Sequence, residues 1–313
     1  MNLLESYPQG CAASCSYCGL ARERPGMARD NSFIRVSWPL HPTDRVAERI
    51  AEARRGIGRV CVAEVQDARA HEDLLDITRR IRSAAAGVPI SALVSAPTLD
   101  EARLWEIQRA GADIIGIGLD AATPELFDAT RGRGVKGPHD WEQHWEIARA
   151  ARRVFGPWKV NFHVIVGLGE SDRGLVELFY RLCAEEIAAY LFSFNPEPGT
   201  RMQDASRAPL ARLRRIQLVK HLIEQDALPR EAIGFDAAGR IRRLDAPGSK
   251  VEAALMSGVP FMTGGCPDRE GGLACNRPYG SYRPGEAFRD YPFRPGEQDL
   301  ATIRSELRLE EVF

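Results

Sequence analysis

The chain has 313 residues, is 44% hydrophobic, and sets 42 Lys and Arg against 43 Asp and Glu for a formal net charge of −1. So balanced a chain offers no general positive field to nucleic acid, and none of its apolar runs is long enough to span a bilayer. Seven cysteines in a chain this long, with no evident secretion signal, suggest metal ligation in a reducing compartment such as the cytoplasm.

In chain order, Leu3 to Tyr7 reads as a short strand that feeds a loop holding Cys11, Cys15 and Cys18, with Tyr17 just before the third. Thiolates are soft ligands that favour zinc or iron–sulfur clusters. A structural zinc site takes four protein ligands, and no fourth Cys or His lies near this triplet. A cubane held by three cysteines leaves one iron open to a small molecule. A zinc loop or a run of free thiols is the competing reading.

Thr43 can cap a helix carrying Val46, Ile50 and Ala53, ended by Gly56, and Arg59 to Val65 is the next strand. His71 to Ala86 carries Leu74, Leu75, Thr78 and Ile81 at helical spacing. Val88 to Val94 is a strand, and Thr98-x-x-Glu101 is a capping box for the helix after it. Asp113 to Leu119 is an apolar strand running into Asp120, followed by Thr123-Pro124-Glu125 with proline at the first helical position. A Gly/Arg loop leads to a helix from Asp140 to Phe155, a strand from Lys159 to Val166 and a helix from Asp172 to Ala184. Ala188 to Phe194 is a further strand, and Pro209 to Gln225 a long amphipathic helix. This alternation predicts an α/β fold with a parallel sheet, a (β/α)8 TIM-type barrel that is complete or nearly so. Residues 1–263 would form the barrel and the irregular segment 264–313 would close it. Active sites of such barrels sit at the C-terminal ends of the strands, where the cysteine loop follows the first strand.

The segment GCAASCSYCG resembles the signature of the radical S-adenosylmethionine (SAM) enzymes. The resemblance implies a 4Fe–4S cluster on Cys11, Cys15 and Cys18 whose open iron binds the amino and carboxylate groups of SAM. Reduction by one electron, from a flavodoxin or ferredoxin, then yields methionine and a 5′-deoxyadenosyl radical. GIGRVCVAE, LDAATPE, IVGLGE and the Pro198-Gly199-Thr200 turn extend the resemblance to biotin synthase, from about Leu3 to Met202. By that resemblance Ala63 and Glu64 line the methionyl end of SAM and Asp120 holds the ribose. Val166 and Leu168 contact adenine, with the Tyr17 backbone near it. On the residues alone, Asp120 serves equally as a helix cap, and the glycines of IVGLGE as an ordinary strand-to-helix turn. Arg131, Arg133 and Lys136 are candidates for the SAM carboxylate, with two of the three read as exposed loop charges. His163 is a candidate substrate contact or a satisfied core histidine.

Cys61 matches the position of a second-cluster ligand in biotin synthase, or is a small buried hydrophobe. The other two barrel cysteines of that family are absent, their places falling near Ala92 and at Asn161. Cys266 and Cys275 lie in a Gly/Pro/Arg-rich tail that is costly to order unless something ties it down. An auxiliary iron–sulfur cluster on Cys61, Cys266 and Cys275 would do so, with Arg277, Ser281 or Arg283 as a fourth ligand or hydrogen-bond donor. Two incidental thiols in a structured tail are the alternative, and Cys183 reads as core. The tail, with CNRPY, YRPGE and YPF, resembles the split lipoyl synthases. That resemblance implies an octanoyl chain on a carrier protein or lipoyl domain, a sister radical SAM protein, and an auxiliary cluster consumed as sulfur source. A biotin-synthase-like reaction on a small molecule, a one-cluster radical mutase or lyase, and a non-catalytic zinc-stabilised barrel are the other readings.

Overall fold

The computed structural model describes residues 1–26, 34, 36 and 38–312. Six strands form one sheet: β1 (Asn2–Leu4), β2 (Val60–Ala63), β3 (Ile90–Val94), β4 (Ile114–Asp120), β5 (Val160–Val166) and β6 (Ala188–Ser193). They pair in sequence order and every pairing is parallel. Parallel neighbours need crossovers, which α1 (Thr43–Ala53), α2 (Ala70–Ala84), α3 (Glu101–Ala110), α5 (Trp141–Phe155) and α6 (Asp172–Ala184) supply, with a short α4 (Pro124–Thr130) ahead of α5. After the sheet come α7 (Leu210–Asp226), a small hairpin of β7 (Ile233–Phe235) and β8 (Ile241–Leu244), then α8 (Gly248–Ser257) and α9 (Glu297–Leu307).

The strands are covered on both faces, by helices on one and by the barrel interior on the other. Val60, Val62, Ile90, Val94, Phe162 and Val164 point outward into the core shared with the helices. Alternation then turns Cys61, Ser91, Gly116, Asn161 and His163 inward. The TIM-type reading holds for six strands. The seventh and eighth do not join the sheet, since β7 and β8 pair antiparallel with each other. Among the described residues the sheet is therefore a partial barrel with a free edge at β1.

Local chemistry sets the helix starts. Thr123, Asp140 and Ser171 each accept a hydrogen bond from the backbone N–H three residues on. The capping box expected at Thr98 is replaced by a cap two residues later. Asp100 caps α3 by accepting from the Arg103 N–H at 2.9 Å, while the Thr98 hydroxyl donates back to the Ser95 carbonyl. Asp100 wins because its short carboxylate reaches the free N–H groups and suits the positive end of the helix.

Buried arginines order the tail. Arg59 donates to the Pro267 carbonyl at 2.5 Å and pairs with Asp113. Arg214 donates to the Phe288 and Arg289 carbonyls, each at 2.8 Å, and pairs with Glu306 on α9. No helix among the described residues is long and apolar enough to cross a membrane.

Candidate active site

The cysteine loop leaves β1 and is held by its backbone. Ala12 N–H donates to the Gln66 carbonyl, Ser16 N–H to Thr130, Arg22 N–H to Ala13, and Ser16 in turn accepts from Met202 N–H. The last bond brings the Pro198-Gly199-Thr200 turn beside the loop. Backbone N–H groups are aimed at the sulfurs: Ala13 and Gln66 donate to Cys11 Sγ at 3.4 and 3.3 Å, and Leu20 to Cys18 Sγ at 3.4 Å. Such donors stabilise thiolate over thiol and are how proteins tune cluster ligands. Burial pushes the Cys15 thiol up to about 11, so in the metal-free chain it is neutral. A cationic iron centre supplies the charge that this environment lacks, and the donor set fits an iron–sulfur cluster.

Around the loop lie the ends of β2 and β4. Ala63 is buried and Glu64 follows it, with Glu64 Oε2 accepting from the Ser95 N–H at 2.8 Å. Its other oxygen is buried without a partner, and burial raises the carboxyl to about 8. Glu5, at the end of β1, is 5% exposed and also has one unpartnered oxygen. Burial, then the neighbouring Glu64, lifts it to about 9. Two carboxyls so placed fit the cationic end of a ligand such as SAM. Asp120 ends β4 in the left-handed region at φ 65°, beside a register shift, and accepts from the Tyr17 hydroxyl at 2.5 Å and from Arg131. It does not cap α4, which Thr123 does. Gly118 lets the Arg131 guanidinium lie across the strand, because a Cβ there would meet it at 3.3 Å. Of the three loop cations, Arg133 is exposed against Asp128 and Lys136 lies in the exposed loop, so Arg131 alone enters the site.

In the IVGLGE turn, the Glu170 carboxylate accepts from the N–H groups of Gly167, Leu168 and Gly169 and pairs with Arg212. Those N–H groups are thus committed to the protein. Leu168 is buried, and the Val166 side chain belongs to the sheet–helix core, so a contact to a ligand from residue 166 runs through its backbone.

Deeper in the barrel, Cys61 on β2 meets Cys266 and Cys275 from the tail in one buried cluster. Arg277 Nη2 donates to Cys61 Sγ at 2.6 Å and Arg277 Nε to Asn2 at 3.0 Å. The Cys275 thiol, then Arg277, hold the Cys61 thiol below its usual value against the effect of burial. Asn161 Nδ2 lies 3.7 Å from Cys266 Sγ, and Gly116 makes room for that amide. Ser281 instead bonds Asp290 and the Ser193 N–H, and Arg283 the Pro196 carbonyl, so of the three fourth-position candidates only Arg277 touches the cysteines. Free space among them is about 10 Å³, room for about one water. Neither cysteine set converges on a point for a single ion among the described residues. A cluster several irons across asks for thiolates spread more widely than one ion does. Three thiols with a guanidinium among them match that chemistry in donor type, with Arg277 occupying the centre. Cys183 is half-buried on α6 and packs on the core.

The sequence reading missed Glu5, the Tyr17 hydroxyl and Ser91. Ser91 pairs in register with Cys61 and is the inward residue beside it, whereas Ala92 packs in the outer core. Strand parity counted from Cys61 would have found it. A wider cleft of about 1030 Å³ runs along the free edge of β1, between Leu4, Leu20, Trp38 and Tyr279, and reaches Arg277.

The comparisons agree with this architecture. A biotin synthase of Aquifex aeolicus is 24% identical over 207 residues, covering 65% of this chain and 58% of that protein. A GTP 3′,8-cyclase of Picosynechococcus is 38% identical over 68 residues, 21% of this chain and 20% of that one. The chain thus spans less than two thirds of the length of these relatives. Among solved structures, a methylornithine synthase superposes with a TM-score of 0.55 at 13% identity, over 99% of this chain and 82% of that one. The FeFe-hydrogenase maturase HydG of Carboxydothermus hydrogenoformans does so at 0.52 and 16% identity, over 99% and 66%. The model of the radical SAM superfamily matches residues 6–182, more than half of the chain, around the cysteine loop and the strand ends described above. The protein belongs to the radical SAM superfamily, and its sequence is similar to biotin synthases at modest identity.

Proposed function

We propose that this enzyme inserts sulfur into an unactivated C–H bond of an octanoyl chain presented on a carrier protein or lipoyl domain, a lipoyl-synthase reaction. The observation that carries the reading is the second buried cysteine set, Cys61, Cys266 and Cys275 around Arg277, set deeper in the same barrel as the first. In this reading residues 1–263 form the catalytic barrel and 264–313 bring two ligands of the auxiliary cluster. Cys11, Cys15 and Cys18 hold the 4Fe–4S cluster. Glu64 and Ala63 take the methionyl end of SAM, Arg131 its carboxylate and Asp120 its ribose, with Val166, Leu168 and Tyr17 around adenine.

An unactivated C–H bond has no acidic proton for a general base. When bound, the first cluster and SAM supply, on one electron from a flavodoxin or ferredoxin, a radical that takes a hydrogen atom, and the auxiliary cluster supplies sulfide to the carbon. The residues here do the rest: they hold the donor carbon between the two cysteine sets and exclude water from the path. The cleft along β1, about 1030 Å³, has room for a tethered chain and is lined in part by Arg277.

The test is incubation of the anaerobically reconstituted enzyme with SAM, reductant and an octanoyl-lysyl peptide, read by mass spectrometry. We expect peptide carrying added sulfur, in less than about stoichiometric amount because the sulfur source is consumed, and none from the Cys275→Ala variant. Formation of 5′-deoxyadenosine with no sulfur in any peptide would contradict the reading.

A further inference from the structure

His163 lies on β5 in register with Gly118 on one side and Tyr190 on the other. It shares a cavity wall with Cys61, Cys266, Cys275 and Arg277. Its ring packs on Phe192 at 5.1 Å between centroids and leans on Tyr190 at 6.2 Å, which fixes its plane. On its other flank Gly118 contributes no side chain. No hydrogen bond joins either ring nitrogen to another described residue, and the side chain is half-buried on the wall of that cavity. Burial, then Arg277 and Arg131, hold the imidazole down at about 3, so it is neutral at any working pH. Arg131 lies against Gly118, the strand neighbour of His163, and Arg277 lines the same cavity, so His163 sits between the outer and the deeper cysteine sets.

A neutral imidazole offers one N–H donor and one lone-pair acceptor. A purely hydrocarbon chain at this level would leave both unpaired. A group with an N–H and a C=O side by side satisfies both. We propose that His163 is a substrate-positioning residue whose imidazole hydrogen-bonds a secondary amide or a urea of the substrate between the two cysteine sets. The inference deepens the sulfur-insertion reading and rests on it for the place of the substrate. In an acyl-lysine the amide is a fixed number of bonds from the chain carbons, so anchoring it selects which carbon is presented. A cyclic urea on a small molecule has the same recognition chemistry.

Two probes separate the sources: an octanoyl-lysyl peptide and an alkyl imidazolidinone. Their dissociation constants are measured by calorimetry on the reconstituted full chain with SAM and no reductant, so no turnover is needed. We expect His163→Phe to weaken the bound probe about tenfold, and His163→Gln, which keeps a donor and an acceptor, to restore it to within about threefold. SAM affinity should not move in either variant. Preference for the peptide assigns the amide of an acyl-lysine, and preference for the imidazolidinone assigns a urea. The proposal is overturned if neither probe binds the parent, if His163→Phe binds within about twofold of it, or if glutamine fails to restore the loss. Iron and sulfide counts on the same samples report separately on the auxiliary cluster, so failure of that reading is distinguishable from failure of this one.

Discussion

Replacing any one of Cys11, Cys15 and Cys18 with alanine should bring reductive SAM cleavage down to the uncatalysed background, a loss of at least about a thousandfold in 5′-deoxyadenosine formation. Cys11, Cys15 and Cys18 would together hold the cluster and leave one iron open to SAM, so two of them would not be a partial substitute. The variants should remain folded. The loop is secured by backbone bonds from Ala12, Ser16 and Arg22, none of which uses a cysteine sulfur. Chromatography of the nucleoside product measures the first effect, and circular dichroism the second. Cleavage at the parental rate in Cys15→Ala would remove the loop from the chemistry.

Asp120→Ala should destabilise the protein by about 3–5 kcal/mol, read as a lower denaturation midpoint. Asp120 and Arg131 are each about one-eighth exposed at the side chain, and Asp120 carries the ion pair together with the Tyr17 hydroxyl. Without it the guanidinium is left buried beside Gly118 with no counter-charge, and its Nε already has no partner. Alanine also fits poorly at φ 65°, a conformation that Asp and Asn accept far more readily. Asp120→Asn should therefore cost less, since it suits the backbone and still accepts from Tyr17. Both should weaken SAM binding. A loss under about 1 kcal/mol for Asp120→Ala would mean that Arg131 finds another partner and that the pair does not organise the site.

Much of this site was legible in the sequence, because its parts sit at strand ends where local pattern is strong. The triplet of cysteines, the Asp120 that follows IIGIGLD and the IVGLGE turn all lie where apolar runs stop. What the chain hid depends on contacts far apart in sequence. Arg131 enters the barrel while Arg133, two residues on, faces solvent against Asp128, and only the path over Gly118 decides between them. The choice of Arg277 over Ser281 and Arg283 likewise rests on the fold of the tail, set by Arg59 and Arg214 reaching in from the barrel. The TIM-type architecture was legible in the alternation, while the pairing of the short β7 and β8 with each other outside the six-stranded sheet was not. Tyr17 was placed near adenine through its backbone, and its hydroxyl proved to be the part that bonds Asp120.

The proposed reaction requires that two separate cysteine sets hold two clusters. The most direct measurement is iron and sulfide content, with Mössbauer spectra, of the anaerobically reconstituted Cys11→Ala, Cys15→Ala, Cys18→Ala variant. This variant should retain an iron–sulfur cluster, and adding Cys61→Ala or Cys275→Ala should remove it. An iron-free triple variant would contradict the second site, and would leave a radical SAM enzyme with one cluster and no internal source of sulfur.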